Sequence, residues 1–393
     1  MRFSGTTILR SVAALAFLLA LLLVATAPAP AQTESVLYNF CSQSGCADGE
    51  TPYAGLIMDT KGNLYGTTYE GGANGVGTVF KLSANGTETV LHSFANNGTD
   101  GYNPVAGLLR DAKGNLYGTT QSGGANGVGT VFKISAKGIE TVLYSFASGT
   151  DGAYPYTGVI MDKSGNLYGT TQLGGVNNMG TVFKLSANGT ETVLHSFAED
   201  GRDGFWPFGE LIMDKSGNLY GTTAQGGANS AGMVFKLGTD ETETILYSFA
   251  GGSDGAYPYA GMIMDAKGNL YGTTVQGGEN NAGTLFAFSA KQTERVLHFF
   301  PTYGGDGEYP RAVLIRDKKG NLYGTTYGGG AYGEGTVFEL SAKGIETVLH
   351  SFANNGTDGY NPYAGLVMDK SGNLYGTTVS GGIGGGVVFK VVP

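Results

Sequence analysis

Histidine and cysteine are scarce in this chain, four and two among 393 residues, and tryptophan occurs once. Cys41 and Cys46 have four residues between them and no histidine close by, so two thiolates alone cannot complete a tetrahedral zinc site. In an oxidising compartment that spacing favours a local disulfide. Charged residues make up only 14% of the chain, and the basic sign is the rarer, 23 against 32 acidic residues. Such a surface repels phosphate backbones and anionic lipid, which argues against nucleic acid as a partner. Helical periodicity is absent throughout, and the glycine-rich segments lead into strands, so no helix N-terminus is available to cradle a phosphate.

Long apolar runs are missing except near the start. Arg2 and Arg10 supply a positive start before an apolar core over residues 12–24, and Ala29-Pro30-Ala31 supplies a small-residue cleavage site, the layout of a secretory signal peptide with the cut before Gln32. The apolar stretch is shorter than the roughly 20 residues of a spanning helix. Without Arg2 and Arg10 the chain keeps 21 basic and 32 acidic residues, a net charge of −11. The expected location is secreted or extracellular, with the periplasm as the alternative.

Glycine, tyrosine and phenylalanine are abundant, 69, 23 and 20 residues, an aromatic-rich and turn-rich all-β composition. The run Gly-Asn-Leu-Tyr-Gly-Thr-Thr occurs seven times, with its asparagine at Asn63, Asn115, Asn166, Asn218, Asn269, Asn321 and Asn373. Each repeat of about 52 residues reads as four short strands, in the first copy over residues 54–58, 63–68, 78–82 and 89–94. Asp59 to Gly62 and Asn85-Gly86 carry the turn chemistry between them. Four strands in about fifty residues predict the blade of a β-propeller.

The ends decide between a ring and an open stack. The chain after the signal opens with a lone fourth strand, residues 35–40, and closes with a lone third strand, residues 387–391. An open solenoid needs polar capping repeats, and neither end shows one. The sequence therefore predicts a single domain over residues 32–393, a seven-bladed propeller whose residues 34–40 complete the blade begun at 363–393.

The run Leu-Ile-Met-Asp-x-x-Gly-Asn-Leu-Tyr-Gly-Thr-Thr, then a Gly-Gly loop, Gly-Thr-Val-Phe-Lys and Glu-Thr-Val-Leu-His-Ser-Phe, resembles the GloVer tandem repeat of secreted bacterial proteins. That resemblance implies an extracellular bacterial location and attaches no catalytic residues to the repeat. Members often carry a C-terminal sorting tail; residue 393 falls inside the last blade, so no surface anchor is expected. The Asp-x-x-Gly-Asn-Leu-Tyr portion is also similar to blades of lactonase-type and NHL propellers, whose enzymes place acidic and asparagine ligands around a central metal. No position here carries that role over.

Candidate residues fall on the repeat. His92, His195, His298 and His350 share one position in the fourth strand, where other copies have Tyr38, Tyr144 and Tyr247; whole blades separate them, so they cannot converge on one metal or nucleophile. Seven Asp-Gly pairs, from Asp48 to Asp358, each precede a proline by four residues and read first as turns. Around those prolines cluster aromatics. Tyr154, Trp206, Tyr257 and Tyr309, with Asp151, Asp203, Asp254 and Asp306, form a candidate ligand-binding set, since ring faces beside carboxylates suit a sugar or a peptide. Wedging of the rings between blades is the competing account. Departures from the repeat concentrate in residues 199–210, with Arg202 and Trp206, and in residues 299–311, with Tyr303, Glu308 and Arg311, without forming a recognisable catalytic set.

These observations point to a non-catalytic monomer that binds a glycan or a cell-surface protein, with no cofactor and no metal. A structural wall or matrix component, and a lactonase- or lyase-type enzyme with a central metal, are the alternatives.

Overall fold

Each Leu-Tyr-Gly-Thr-Thr run forms the second strand of a four-stranded antiparallel sheet, and there are seven such sheets. The structure, a computed structural model, describes residues 33–289, 293–302 and 305–393; the expected signal peptide lies outside them. In blade 1 the strands are A, Ile57–Met58, B, Leu64–Thr68, C, Thr78–Leu82, and D, Glu88–Ser93. Strand A is shorter than the sequence predicts because Ala54 and Gly55 line the axis instead. No α-helix occurs among the described residues.

Each letter of the motif has a physical task. Leu64 is buried, and the Tyr65 hydroxyl donates to Asp59 Oδ2 at 3.2 Å. Asp59 Oδ1 also accepts from the amides of Lys61 and Asn63, closing the A–B turn. Gly66 leaves room for the phenylalanine of strand C: a Cβ there would lie 2.8 Å from the Phe80 ring. Thr67 Oγ1 donates to the Ala106 carbonyl of the next blade at 3.1 Å, and Thr68 and Thr78 pair their hydroxyls at 2.8 Å.

Blades join through a phenylalanine seam. The residue after strand D of one blade meets the strand C phenylalanine of the next, as in Phe94–Phe132 and Phe197–Phe235, with T-shaped rings 5.2 and 5.3 Å apart. Such pairs contribute about 0.5–1.5 kcal/mol each beyond the area they bury. A polar outer face on each blade is therefore unnecessary, since both faces meet a neighbour.

The ring closes on its own N-terminus. Thr33–Asn39 is strand D of blade 7, hydrogen-bonded beside Val387–Val392, with Leu374–Thr378 and Val367–Met368 beyond. The Phe40 amide donates to the Gly386 carbonyl at 3.0 Å, and Phe40 meets Phe80 at 4.9 Å. Thr377 Oγ1 reaches the Ala54 carbonyl at 2.9 Å, repeating across the closure the bond that Thr67 makes to its neighbour. Cys41 and Cys46, disulfide-bonded, stiffen the loop that leaves the closing strand.

Candidate functional site

The loop prolines build the loop-bearing face as two concentric sets. The residue after each proline points to the axis: Tyr53, Val105, Tyr156, Phe208, Tyr259, Arg311 and Tyr363 all line one central cavity. The residue before each proline has left-handed backbone, with φ between 54° and 59° for Thr51, Asn103, Tyr154, Trp206, Tyr257, Tyr309 and Asn361. Two backbone bonds hold it there. The Tyr154 amide donates to Val128 of the preceding blade at 2.7 Å, and its carbonyl accepts from Gln172 at 3.1 Å.

That conformation costs an ordinary L-residue about 1–2 kcal/mol, and a following proline pushes its predecessor toward extended backbone. Asparagine tolerates it best, and Asn103 and Asn361 also donate their side-chain amides to the Tyr69 and Tyr327 carbonyls. Blades 3 to 6 instead carry Tyr154, Trp206, Tyr257 and Tyr309, all half-buried. The sequence-predicted aromatics thus form one arc over four consecutive blades.

The predicted aspartates face inward. Asp151 accepts from the Tyr144 hydroxyl at 2.9 Å and the Ala147 amide at 2.8 Å. Asp254 does the same with Tyr247 and Ala250. Asp203 and Asp306 pair with His195 Nε2 at 3.2 Å and His298 Nε2 at 3.1 Å, and their other oxygens accept from the following glycine amides. These carboxylates anchor the loops, and the arc stands without them.

Sequence reasoning missed a ring of glutamates at the start of strand D. Glu34, Glu88, Glu140, Glu191, Glu243, Glu294 and Glu346 each turn Oε1 into the seam, buried and without a hydrogen-bond partner. Burial, with the charge of the facing aspartate, pushes Glu88 and Glu191 up to about 7, and Glu34, Glu243 and Glu346 likewise to about 7. Three His–Asp–Glu sets hold their ligand atoms within 4.8 Å of one another, as in His195, Asp203 and Glu243. Tyrosine takes the histidine place in Tyr38, Tyr144 and Tyr247 while donating to its aspartate in the same way, so the sets read as repeated inter-blade clamps.

One asymmetric feature lies on the axis. The central cavity, about 90 Å³, is lined from all seven blades. Arg311 takes the place of an aromatic ring and lies 5.5, 5.2 and 5.4 Å from the centroids of Tyr259, Tyr327 and Tyr363. Its Nε is buried without a hydrogen-bond partner. Two residues further along the chain, Gly55, Gly107, Gly158, Gly261 and Gly365 form a second layer of the lining with Glu210 and Val313. A Cβ on Gly158 would lie 3.2 Å from Glu210 Oε1, so the glycines make room for this side chain. Glu210 retains accessible surface although protein encloses it, as expected of a group wetted only from the lumen; enclosure raises its pKa. The departures noted in residues 199–210 and 299–311 thus converge on the axis through Glu210 and Arg311, which only ring geometry could show; Tyr303 lies outside the described residues.

The model of the Gloeobacter/Verrucomicrobia repeat matches residues 26–215 and 206–393. The chain belongs to this repeat family. No curated protein sequence matches it. Among solved structures, this repeat protein is similar to a streptogramin B lyase at 15% identity, over 93% of this chain and 99% of that one, TM-score 0.64. It is also similar to the extracellular domain of a chain assigned as a hybrid two component system from B. thetaiotaomicron, at 17% identity, over 93% of this chain and 41% of that one, TM-score 0.59. A chain assigned as a 6-phosphogluconolactonase from Bacteroides uniformis is similar at 17% identity, over 82% and 89% of the two chains, TM-score 0.51. At these identities the shared property is the propeller fold.

Proposed function

We propose that this repeat protein is a secreted, non-catalytic binding protein that holds a glycan through the aromatic arc of its loop-bearing face. The observation that carries this reading is the placement of Tyr154, Trp206, Tyr257 and Tyr309 at a left-handed position before proline. Strain kept at such positions, where asparagine serves in other blades, is a mark of function. A groove of about 400 Å³ adjoins the arc and is lined by Glu308, Tyr309, Tyr327 and Asn361, within the range of ligand sites.

Catalysis at the axis would fall to Glu210 alone. The cavity brings no second carboxylate and no imidazole among the described residues, and a hard cation wants six to eight oxygens; this donor set does not fit the central metal of a lactonase-type propeller. A local disulfide and the family resemblance support an extracellular setting.

A glycan array with the purified protein tests the reading. Binding of a defined glycan class that Trp206→Ala and Tyr257→Ala each weaken supports it. An empty array, or binding indifferent to both substitutions, rejects it.

A further inference from the structure

We propose that the ligand of this face is an acidic saccharide, its carboxylate held by Arg311 at the axis while its sugar rings lie against the neighbouring aromatics. This rests on the binding reading above and names the ligand class for it.

Arg311 shares the central cavity with Glu210, but among the described residues it has no salt-bridge partner. Among them its one side-chain hydrogen bond is a 3.5 Å contact to the Tyr363 hydroxyl, and its Nε has no partner, in a chain where acids outnumber bases 32 to 23. Tyrosine faces satisfy the flat sides of a guanidinium and leave its edge, the part that grips a carboxylate with two parallel bonds.

The blade seam beside Arg311 also departs from the repeat. Six strand B threonines donate to the adjacent blade, as Thr222 does to the Ala260 carbonyl at 3.0 Å. The seventh, Thr273, is buried without a partner; by the repeat, its acceptor would be the carbonyl of Ala312, the residue after Arg311. The seam that carries Arg311 thus lacks the inter-blade bond made at this repeat position in the other six.

Size divides the ligand in two. A cavity of about 90 Å³ takes a carboxylate with a few waters, and a sugar ring needs the adjoining groove of about 400 Å³. Tyr327 links the two, since it lines the groove and its ring centroid lies 5.2 Å from the Arg311 guanidinium. Glu308 in the groove and Glu210 deeper on the axis oppose an anion, which leaves the Arg311 end as the place for the carboxylate.

A peptide with a free C-terminus fits less well. The backbone groups of the arc are already paired, as with Tyr309, whose amide donates to Ala282 at 2.8 Å and whose carbonyl accepts from Tyr327 at 3.2 Å. Main-chain pairing, the usual source of peptide affinity, is closed off, whereas stacking of a sugar on a ring asks for no backbone partner.

The test is isothermal titration of the full chain after signal removal with trigalacturonate, its fully methyl-esterified form, and a carboxyl-terminated Gly-Gly-Gly peptide. Trigalacturonate is expected to bind at least about tenfold more tightly than the ester, a charged hydrogen bond's worth. Arg311→Met is expected to abolish that preference, Arg311→Lys to keep part of it, and Glu210→Gln to strengthen trigalacturonate binding; melting curves confirm that each variant is folded. Equal affinity for acid and ester, with Trp206→Ala still harmful, overturns this inference and leaves the arc standing. Peptide binding without saccharide binding overturns both, and no binding by any of the three probes overturns this inference.

Discussion

His195 Nε2 lies 3.2 Å from Asp203 Oδ2 and 3.8 Å from Glu243 Oε1, so one imidazole bridges a loop aspartate and a glutamate of the next blade. Burial works against the charged imidazole, but the Asp203 hydrogen bond and the charges of Glu243 and Asp203 outweigh it and raise its pKa. Glu243 is in turn raised to about 7 by burial and by Asp203, against the lowering effect of His195. The seam therefore holds protons that an unfolded chain releases.

That sets the direction of pH dependence. A glutamate raised from 4.5 to about 7, as for Glu88 and Glu191, contributes stability that is present below its unfolded value and is lost as pH rises to about 7. His195, raised above 6.5, acts in the same direction, its share being lost as pH rises through the folded value. The turn aspartates act oppositely. Burial raises Asp59 and Asp214, but hydrogen bonds from Asn63 and Asn218 and from backbone amides outweigh it, so their share is lost only below 3.8. The melting temperature is expected to fall from about pH 5 to about pH 8, and Glu88→Gln with Glu191→Gln to flatten that fall. A level or rising curve over that interval in the parent protein contradicts the assignment.

The fold was legible because repetition exposed it: seven copies in phase gave the blades, and unmatched end strands gave the closure. The glutamate ring was not, because Glu88 or Glu191 at the head of a strand reads as a solvent-facing charge, and the aspartate that faces it, Asp48 or Asp151, belongs to a loop distant along the chain. The loop aspartates invite the opposite error, since Asp-Gly before an aromatic looks like an open site, whereas Asp203 turns to His195 and its own backbone. Glu210 and Arg311 are separated by two blades along the chain, and their shared lumen exists only after the ring is drawn.

At Tyr154 stability and binding should separate. Asparagine there would relieve left-handed strain and, as at Asn103, offer an amide to the preceding blade, here to the Gln121 carbonyl. Tyr154→Asn is expected to raise stability by about 0.5–1 kcal/mol while weakening glycan binding. Paired urea titrations and array measurements check this. Loss of stability together with unchanged binding would show that the ring serves the blade interface.

Two threonines at one repeat position should respond differently. Thr222→Val leaves the Ala260 carbonyl without its donor and is expected to cost about 1–3 kcal/mol. Thr273 has no partner to lose, so Thr273→Val should be neutral or stabilising. Equal costs in urea unfolding would mean that Thr273 reaches Ala312 in solution after all.

Closure gives the last expectation. Phe40 is fully buried between the closing strand and blade 1, against Phe80, and Phe197 occupies the same place in the seam between blades 3 and 4, against Phe235. Truncating either to alanine should cost about 3–5 kcal/mol through lost burial and the cavity left behind. The consequences differ in kind, because blades 3 and 4 stay covalently continuous while Thr33–Asn39 is held beside Val387–Val392 only by pairing and packing. Phe40→Ala should therefore speed amide exchange first in those two strands, ahead of the rest of the ring, and Phe197→Ala should not. Hydrogen exchange read by mass spectrometry distinguishes the two, and uniform acceleration in Phe40→Ala would mean that the terminal seam opens only with the whole propeller.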